Sequence, residues 1–170
     1  MICDIHPTDG SGFSAHLADE IETDAAGAAL AAGLVTGLVV QLEGNLGAGK
    51  TTLVRGCLRA LGHTGKVKSP TYTLLEPYSV SRLNLYHFDF YRFNVPEEFL
   101  EAGLDEYFSG QGVCLIEWPD KAEPYLPDAD IVIRLTLSTP GRNLKVAAYT
   151  EAGKKCVQTM MQNLQPPSLR

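Results

Sequence analysis

Apolar positions along the chain recur with two different periods, and the switches between them mark out alternating strands and helices. Phe13, Ala15 and Leu17 alternate with small or polar residues and predict a short strand. Asp19 and Glu22 stand at capping-box spacing, with Asp in place of the usual Ser or Thr, and predict a helix that ends near Ala32. Leu38-Val39-Val40-Gln41-Leu42 is an apolar run of strand type. Leu53, Val54, Cys57, Leu58 and Leu61 then recur at helical spacing, and Gly62 supplies a stop. Tyr72 to Tyr78 and Leu83 to Asp89 read as two strands around Ser79-Val80-Ser81-Arg82. Only ten residues separate Leu75 from Tyr86, too few for a crossover, so this pair should be antiparallel. Pro96 ahead of Glu97 and Glu98 starts a helix that Gly103 ends. Gly112 to Glu117 is a strand ending in an acid. Ile131 to Leu137 and Asn143 to Tyr149 form a second hairpin through Pro140-Gly141, and Glu151 to about Gln162 forms a terminal helix.

Between the strand at Leu38 and the helix at Leu53 lies GNLGAGKT, Gly44 to Thr51, which fits the phosphate-loop pattern G-x-x-x-x-G-K-[ST]. The candidate nucleotide-binding residues are Gly44, Asn45, Leu46, Gly47, Ala48, Gly49, Lys50, Thr51 and Thr52. The glycines let successive N–H groups curl around a phosphate. Lys50 is placed to reach the β- and γ-phosphates and should be exposed in the loop, and Thr51 is placed to ligate Mg²⁺. Thr52 opens a helix whose N-terminus also favours an anion. A plain glycine-rich turn would not need Lys50 and Thr51.

These elements predict an α/β fold, a single-domain phosphate-loop nucleotide-binding architecture. A mixed sheet, with a parallel core plus antiparallel strands, is flanked by helices. The domain should span 1–163, and 164–170, with Gln165-Pro166-Pro167-Ser168, should be a flexible C-terminal tail. The uncharged stretch Ala25 to Leu42 is 18 residues long, but it is rich in Ala and Gly and runs into the phosphate loop. It divides into a helix and a strand, not a membrane span. The N-terminus predicts no signal peptide. Cys3, Cys57, Cys114 and Cys156 are scattered without metal or redox spacing, which suits a reducing compartment.

Charge changes the picture locally. The net charge is −6, yet residues 1–49 hold seven acids and no Lys or Arg, whereas Lys50 to Arg92 holds seven basic residues and two acids. That local excess suits a nucleotide, and the global acidity argues against tight nucleic-acid binding by this chain alone. Phosphoryl transfer needs a carboxylate on the metal side and a group to orient the attacking water. Two strand-ending acids compete for these roles, Asp89 and Glu117, and the alternative for each is a turn cap. His87 should share the side of its strand with Asp89 and reads as a hydrogen-bonded structural residue. Phe88, Phe90, Tyr91 and Phe93 read chiefly as core aromatics.

The phosphate loop, Ser69-Pro70-Thr71-Tyr72-Thr73, His87-Phe88-Asp89-Phe90-Tyr91-Arg92 and Ile116-Glu117-Trp118-Pro119 follow one another as in the TsaE (YjeE) family. The chain resembles that family from about Gly37 to about Leu137. Phe90, where the family usually has Leu, and Asp120, where it has Glu, are mild departures.

The resemblance implies an ATPase that binds ATP and Mg²⁺, is weak alone and acts with the TsaB and TsaD proteins. The process would be threonylcarbamoyl modification of the tRNA adenosine next to the anticodon, in the cytoplasm, with tRNA reached through the complex. It implies catalytic roles for Lys50, Asp89 and Glu117, with Thr51 and Glu117 on the metal. Ser69, Pro70, Thr71, Tyr72 and Thr73 would form a switch loop, and Trp118 would sense nucleotide state or partner. Two other classes use the same loop. A small-molecule kinase would need an arginine-rich lid, and Arg92 is isolated. A nucleotide-dependent interaction switch with little turnover would differ only in its rate of hydrolysis.

Overall fold

The computed structural model describes residues 2, 4–8 and 10–165. The element order is β1 (Ile5–Thr8), β2 (Gly12–Leu17), α1 (Glu20–Ala31), β3 (Val39–Glu43), α2 (Lys50–Ala60), β4 (Leu75–Val80) and β5 (Leu83–Asp89). It continues with α3 (Glu98–Glu101), β6 (Val113–Glu117), β7 (Ile131–Leu137), β8 (Arg142–Ala148) and α4 (Glu151–Leu164). Short 3₁₀ turns at Leu104–Phe108 and Pro119–Ala122 follow α3 and β6.

All eight strands form one sheet in the order β1-β2-β8-β7-β3-β6-β5-β4. The central four, β7, β3, β6 and β5, run parallel. β4 closes one side antiparallel to β5, and β8, β2 and β1 extend the other side antiparallel. The expected mixed sheet, both hairpins and their antiparallel sense are therefore present.

β3 and β6, at the middle of the parallel set, are covered on both faces, which suits their apolar runs, whereas β7 alternates buried and exposed positions. Every residue of β6 is buried. Val113 and Leu115 point into a core shared with α1, α2 and α4, whereas Cys114 and Ile116 point into a second core with Phe88, Phe90, Phe93 and Phe99. Phe88, Phe90 and Phe93 are thus core residues, as their pattern suggested, whereas Tyr91, grouped with them, is exposed. Cys57, Cys114 and Cys156 are free and buried, and Cys3 lies outside the described residues.

α1 and α2 cross closely because glycine stands at both contact points. A Cβ added to Gly27 would sit 2.0 Å from the Leu53 carbonyl oxygen, and one on Gly56 would sit 2.1 Å from that of Asp24. α1 begins as its capping spacing predicts. The Glu22 N–H donates to Asp19 Oδ1 at 2.9 Å, and Glu22 Oε2 accepts from the Ala18 N–H at 2.7 Å.

Three boundaries differ from expectation. β1, with Pro7 and polar neighbours, carries too little apolar alternation to be read locally and exists by pairing with β2. β4 begins at Leu75, not Tyr72, because Leu74 turns into the left-handed region (φ 67°) and its N–H bonds the Pro70 carbonyl. α4 continues to Leu164, whose buried side chain packs in the core, so the domain extends past residue 163. Of the expected tail, 166–170 lies outside the described residues.

Candidate functional site

Parallel strands bring their C-terminal ends to one edge of the sheet, where α/β folds collect ligands. β3 leads there into the phosphate loop, β5 ends at Asp89 and β6 ends at Glu117. Asp89 and Glu117 are register partners on adjacent strands. Four stretches of sequence, joined by Glu20 and Arg142, therefore converge on a cleft of about 430 Å³ lined by Leu46 to Thr52, Ser69, Thr71, Asp89, Tyr91, Glu117 and Trp118.

The loop has the backbone its glycines were expected to permit. Gly49, the N-cap of α2, has φ 111°, and a Cβ there would lie 2.4 Å from Arg142 Nη1. Gly44 has φ 151°, and a Cβ there would lie 2.6 Å from the Leu135 carbonyl oxygen. A side chain at either position would meet both strain and collision. Within the loop Leu46 is exposed and Ala48 is buried. Asn45 faces a second cleft of about 510 Å³, on the other side of Lys50 and Trp118.

Lys50 corrects one expectation, since it is only 5% exposed. Its ammonium folds back to donate to the Gly44 carbonyl and lies 3.9 Å from the centre of the Trp118 ring. Burial lowers its pKa, opposed by the negative charges of Glu117, Asp89 and Asp120. The ammonium itself takes the cover of the Trp118 ring and donates to a carbonyl, while the nearby carboxylates act on it through their charge. Trp118 adopts a left-handed backbone (φ 57°), unusual for a bulky residue and enforced by the turn from β6 into Pro119.

The two acids occupy different surroundings. Buried Glu117 accepts through Oε2 from the Thr51 hydroxyl at 3.4 Å, and the same oxygen lies 2.6 Å from His87 Nε2. His87 is fully buried and hydrogen-bonded, as its pattern suggested, with Glu117 on the neighbouring strand as the partner of Nε2, while its Nδ1 finds no partner among the described residues. Asp89 Oδ1 accepts from the Tyr91 N–H at 2.9 Å. Its Oδ2 accepts from the hydroxyls of Thr71 at 3.3 Å and Ser69 at 3.4 Å. Burial raises the Asp89 pKa above the ordinary carboxylate value. The Tyr91 N–H opposes that rise, neighbouring Glu117 adds to it, and Thr71 and His87 oppose it.

Ser69 to Thr73 therefore reaches the site through two hydroxyls, themselves 2.8 Å apart. Pro70 is buried, whereas Tyr72 is 82% exposed and stacks under the Arg92 guanidinium at 4.1 Å. Thr73 turns away to Glu76. No local spacing signals the Lys50–Trp118 contact, the His87–Glu117 pair, or the places of Glu20 and Arg142 on the cleft wall. Period-two alternation placed His87 on the side of Asp89, but only strand order reveals its partner.

Oxygen donors at Thr51 and Glu117 form the kind of set a hard divalent cation takes. Among the described residues, no group of three or more His, Cys, Asp or Glu side chains could hold a metal ion. A Mg²⁺ site here fits a pair of protein oxygens completed by phosphate and water, as Mg²⁺ commonly prefers.

The family model described as "Threonylcarbamoyl adenosine biosynthesis protein TsaE" matches residues 17–144. The chain belongs to the TsaE family. It is 47% identical over 120 residues to the tRNA threonylcarbamoyladenosine biosynthesis protein TsaE of Haemophilus influenzae, covering 71% of this chain and 76% of that one. The Bacillus subtilis protein of the same name is 41% identical over 134 residues, covering 79% and 82%. The crystal structure of Bacillus subtilis YdiB superposes with a TM-score of 0.76 at 32% identity, covering 95% of this chain and 97% of that one. The TsaE assignment ties the chain to threonylcarbamoyladenosine biosynthesis on tRNA. Among the described residues, no helix is long and apolar enough to cross a membrane.

Proposed function

We propose that this TsaE-family protein is a Mg²⁺-dependent ATPase that works with TsaB and TsaD, in the cytoplasm, to sustain threonylcarbamoyl modification of the tRNA adenosine beside the anticodon. The observation that carries this reading is the convergence of Lys50, Thr51, Glu117 and Asp89 around the phosphate loop. The net charge of −6 favours reaching tRNA through the complex over binding it directly.

The loop N–H groups from Gly47 to Thr52 cradle the phosphate chain. Lys50 exchanges the Gly44 carbonyl for phosphate oxygens, leaving the face of Trp118 as it does so. Thr51 and Glu117 would hold Mg²⁺, which supplies positive charge against the β- and γ-phosphate oxygens. His87 fixes the Glu117 carboxylate in place. Asp89 faces the cleft through Oδ2, where it can orient an attacking water, and its raised pKa suits a group that handles a proton. Ser69 and Thr71 share that oxygen, so a bound γ-phosphate competes with Asp89 for their hydroxyls. Trp118 and the switch segment are then the parts whose position depends on nucleotide state.

A kinase reading finds little support, since Arg92 is engaged by Tyr72 rather than forming part of a cationic lid. The deciding experiment measures ATP hydrolysis with Mg²⁺, alone and with the TsaB–TsaD pair, beside a screen of phosphoryl acceptors. Weak turnover that rises with the pair supports the reading. Phosphoryl transfer to a small acceptor would replace it, and binding without turnover in either condition would reduce it to an interaction switch.

A further inference from the structure

We infer that Arg142 is a ligand of the nucleotide's phosphate chain, reaching the phosphate loop from the antiparallel half of the sheet. This rests on the nucleotide reading above and adds a residue to it. Arg142 opens β8 immediately after the Pro140-Gly141 turn and is in register with Leu17 of β2 and Leu137 of β7. Gly141 fixes that turn with φ 80°, and a Cβ there would collide with the Leu17 carbonyl oxygen at 2.0 Å. The register directs the Arg142 side chain across Gly49. The space a Gly49 Cβ would fill is bounded by Arg142 Nη1 at 2.4 Å and Cδ at 3.4 Å. Arg142 thus lines the same cleft as Lys50, Thr51, Thr52, Asp89 and Glu117.

Its bonding is incomplete. Arg142 Nε is buried and finds no hydrogen-bond partner among the described residues, and no ion pair is formed there by its guanidinium. Arg134, one strand over, shows the contrast, with Nε and Nη2 both on Glu43 at 2.9 and 2.7 Å. A guanidinium cannot shed its charge, so the burial of Nε against a phosphate-binding loop is uphill until an anion arrives. Glu20 lies on the same cleft wall without pairing to it. A phosphate oxygen supplies the missing acceptor in the planar geometry that guanidinium favours. The close packing also gives Gly49 a second reason to be glycine, because any side chain there would displace Arg142.

The test compares Arg142→Met, Arg142→Lys and Lys50→Ala by calorimetric titration with Mg²⁺-ADP and with a non-hydrolysable ATP analogue, with thermal unfolding recorded for each. Arg142→Met should weaken both nucleotides about 10- to 100-fold, the range of one charge-assisted hydrogen bond. Arg142→Lys should recover part of the loss. Arg142→Met that binds both nucleotides like the wild type, with or without a lower melting temperature, overturns the inference. If Lys50→Ala loses affinity in that case, the nucleotide site itself stands. If Lys50→Ala also binds like the wild type, the nucleotide reading fails and the inference fails with it.

Discussion

Glu117→Gln isolates charge from shape at the centre of the site. The side chain is buried, so glutamine fits the same space. Its amide can still meet His87 Nε2 at 2.6 Å and the Thr51 hydroxyl at 3.4 Å. What goes is the negative charge, and three consequences follow. First, the His87 contact becomes a neutral hydrogen bond. Charge-assisted bonds contribute about 1.5–3 kcal/mol and neutral ones about 0.5–1.5, so stability should fall by only about 1 kcal/mol. Second, Lys50 loses the largest influence opposing its desolvation, and its pKa should fall further. Third, in the proposed site Mg²⁺ would lose the carboxylate on its protein side. Altering a metal ligand's support commonly costs about 10–100-fold in affinity or activity, and direct loss of the charge should cost at least that. The assay is single-turnover ATP hydrolysis across a Mg²⁺ titration, with urea unfolding as control. The half-saturating Mg²⁺ concentration should rise at least about tenfold while the fold survives. A wild-type Mg²⁺ dependence would leave Glu117 as a structural acid that happens to end a strand.

Asp89 gives a pH prediction. Burial raises its folded pKa above the unfolded value, so the folded state holds the proton more tightly and wild-type stability falls as pH rises above about 3.8 toward the folded pKa. Asp89→Asn lacks that loss, so its melting temperature relative to wild type, measured in EDTA, should increase between pH 4 and pH 7; a flat difference would contradict the burial argument. Gly27→Ala should destabilise the protein by about 1–3 kcal/mol in urea unfolding, because its Cβ would meet backbone, not a yielding side chain, at 2.0 Å. Unchanged stability would mean that α1 and α2 can separate freely. Hydrogen exchange across residues 66–76 should differ between ATP analogue and ADP, and the nucleotide that protects the segment should change affinity for the TsaB–TsaD pair by the reciprocal factor. Equal protection in both states would make Ser69 to Thr73 a static wall.

What could be read in the chain was what is local. The phosphate loop carries its constraints within Gly44 to Thr52, and the helix cap at Asp19 is complete within four residues, so both emerged from spacing alone. Glu117 and Asp89 were visible as strand-ending acids, but their different neighbours depend on β6 lying between β3 and β5, a long-range fact. That order gives Glu117 to Thr51 and His87 and leaves Asp89 to the hydroxyls of Ser69 and Thr71. Lys50 looked exposed because a loop lysine usually is; Trp118, 68 positions away, covers it. Arg142 carried no signal at all, being one arginine at the head of an ordinary alternating strand. β1 escaped because an edge strand with Pro7 borrows its order from β2.

The central claim is that the Lys50–Thr51–Glu117 cluster binds the phosphates of ATP with Mg²⁺. Calorimetric titration of an ATP analogue into wild type and Lys50→Ala, each with Mg²⁺ and with EDTA, tests it most directly. The account predicts measurable wild-type binding that strengthens with Mg²⁺, and loss of that binding in Lys50→Ala with an unchanged circular-dichroism spectrum. Equal affinity in both proteins, indifferent to Mg²⁺, would contradict it.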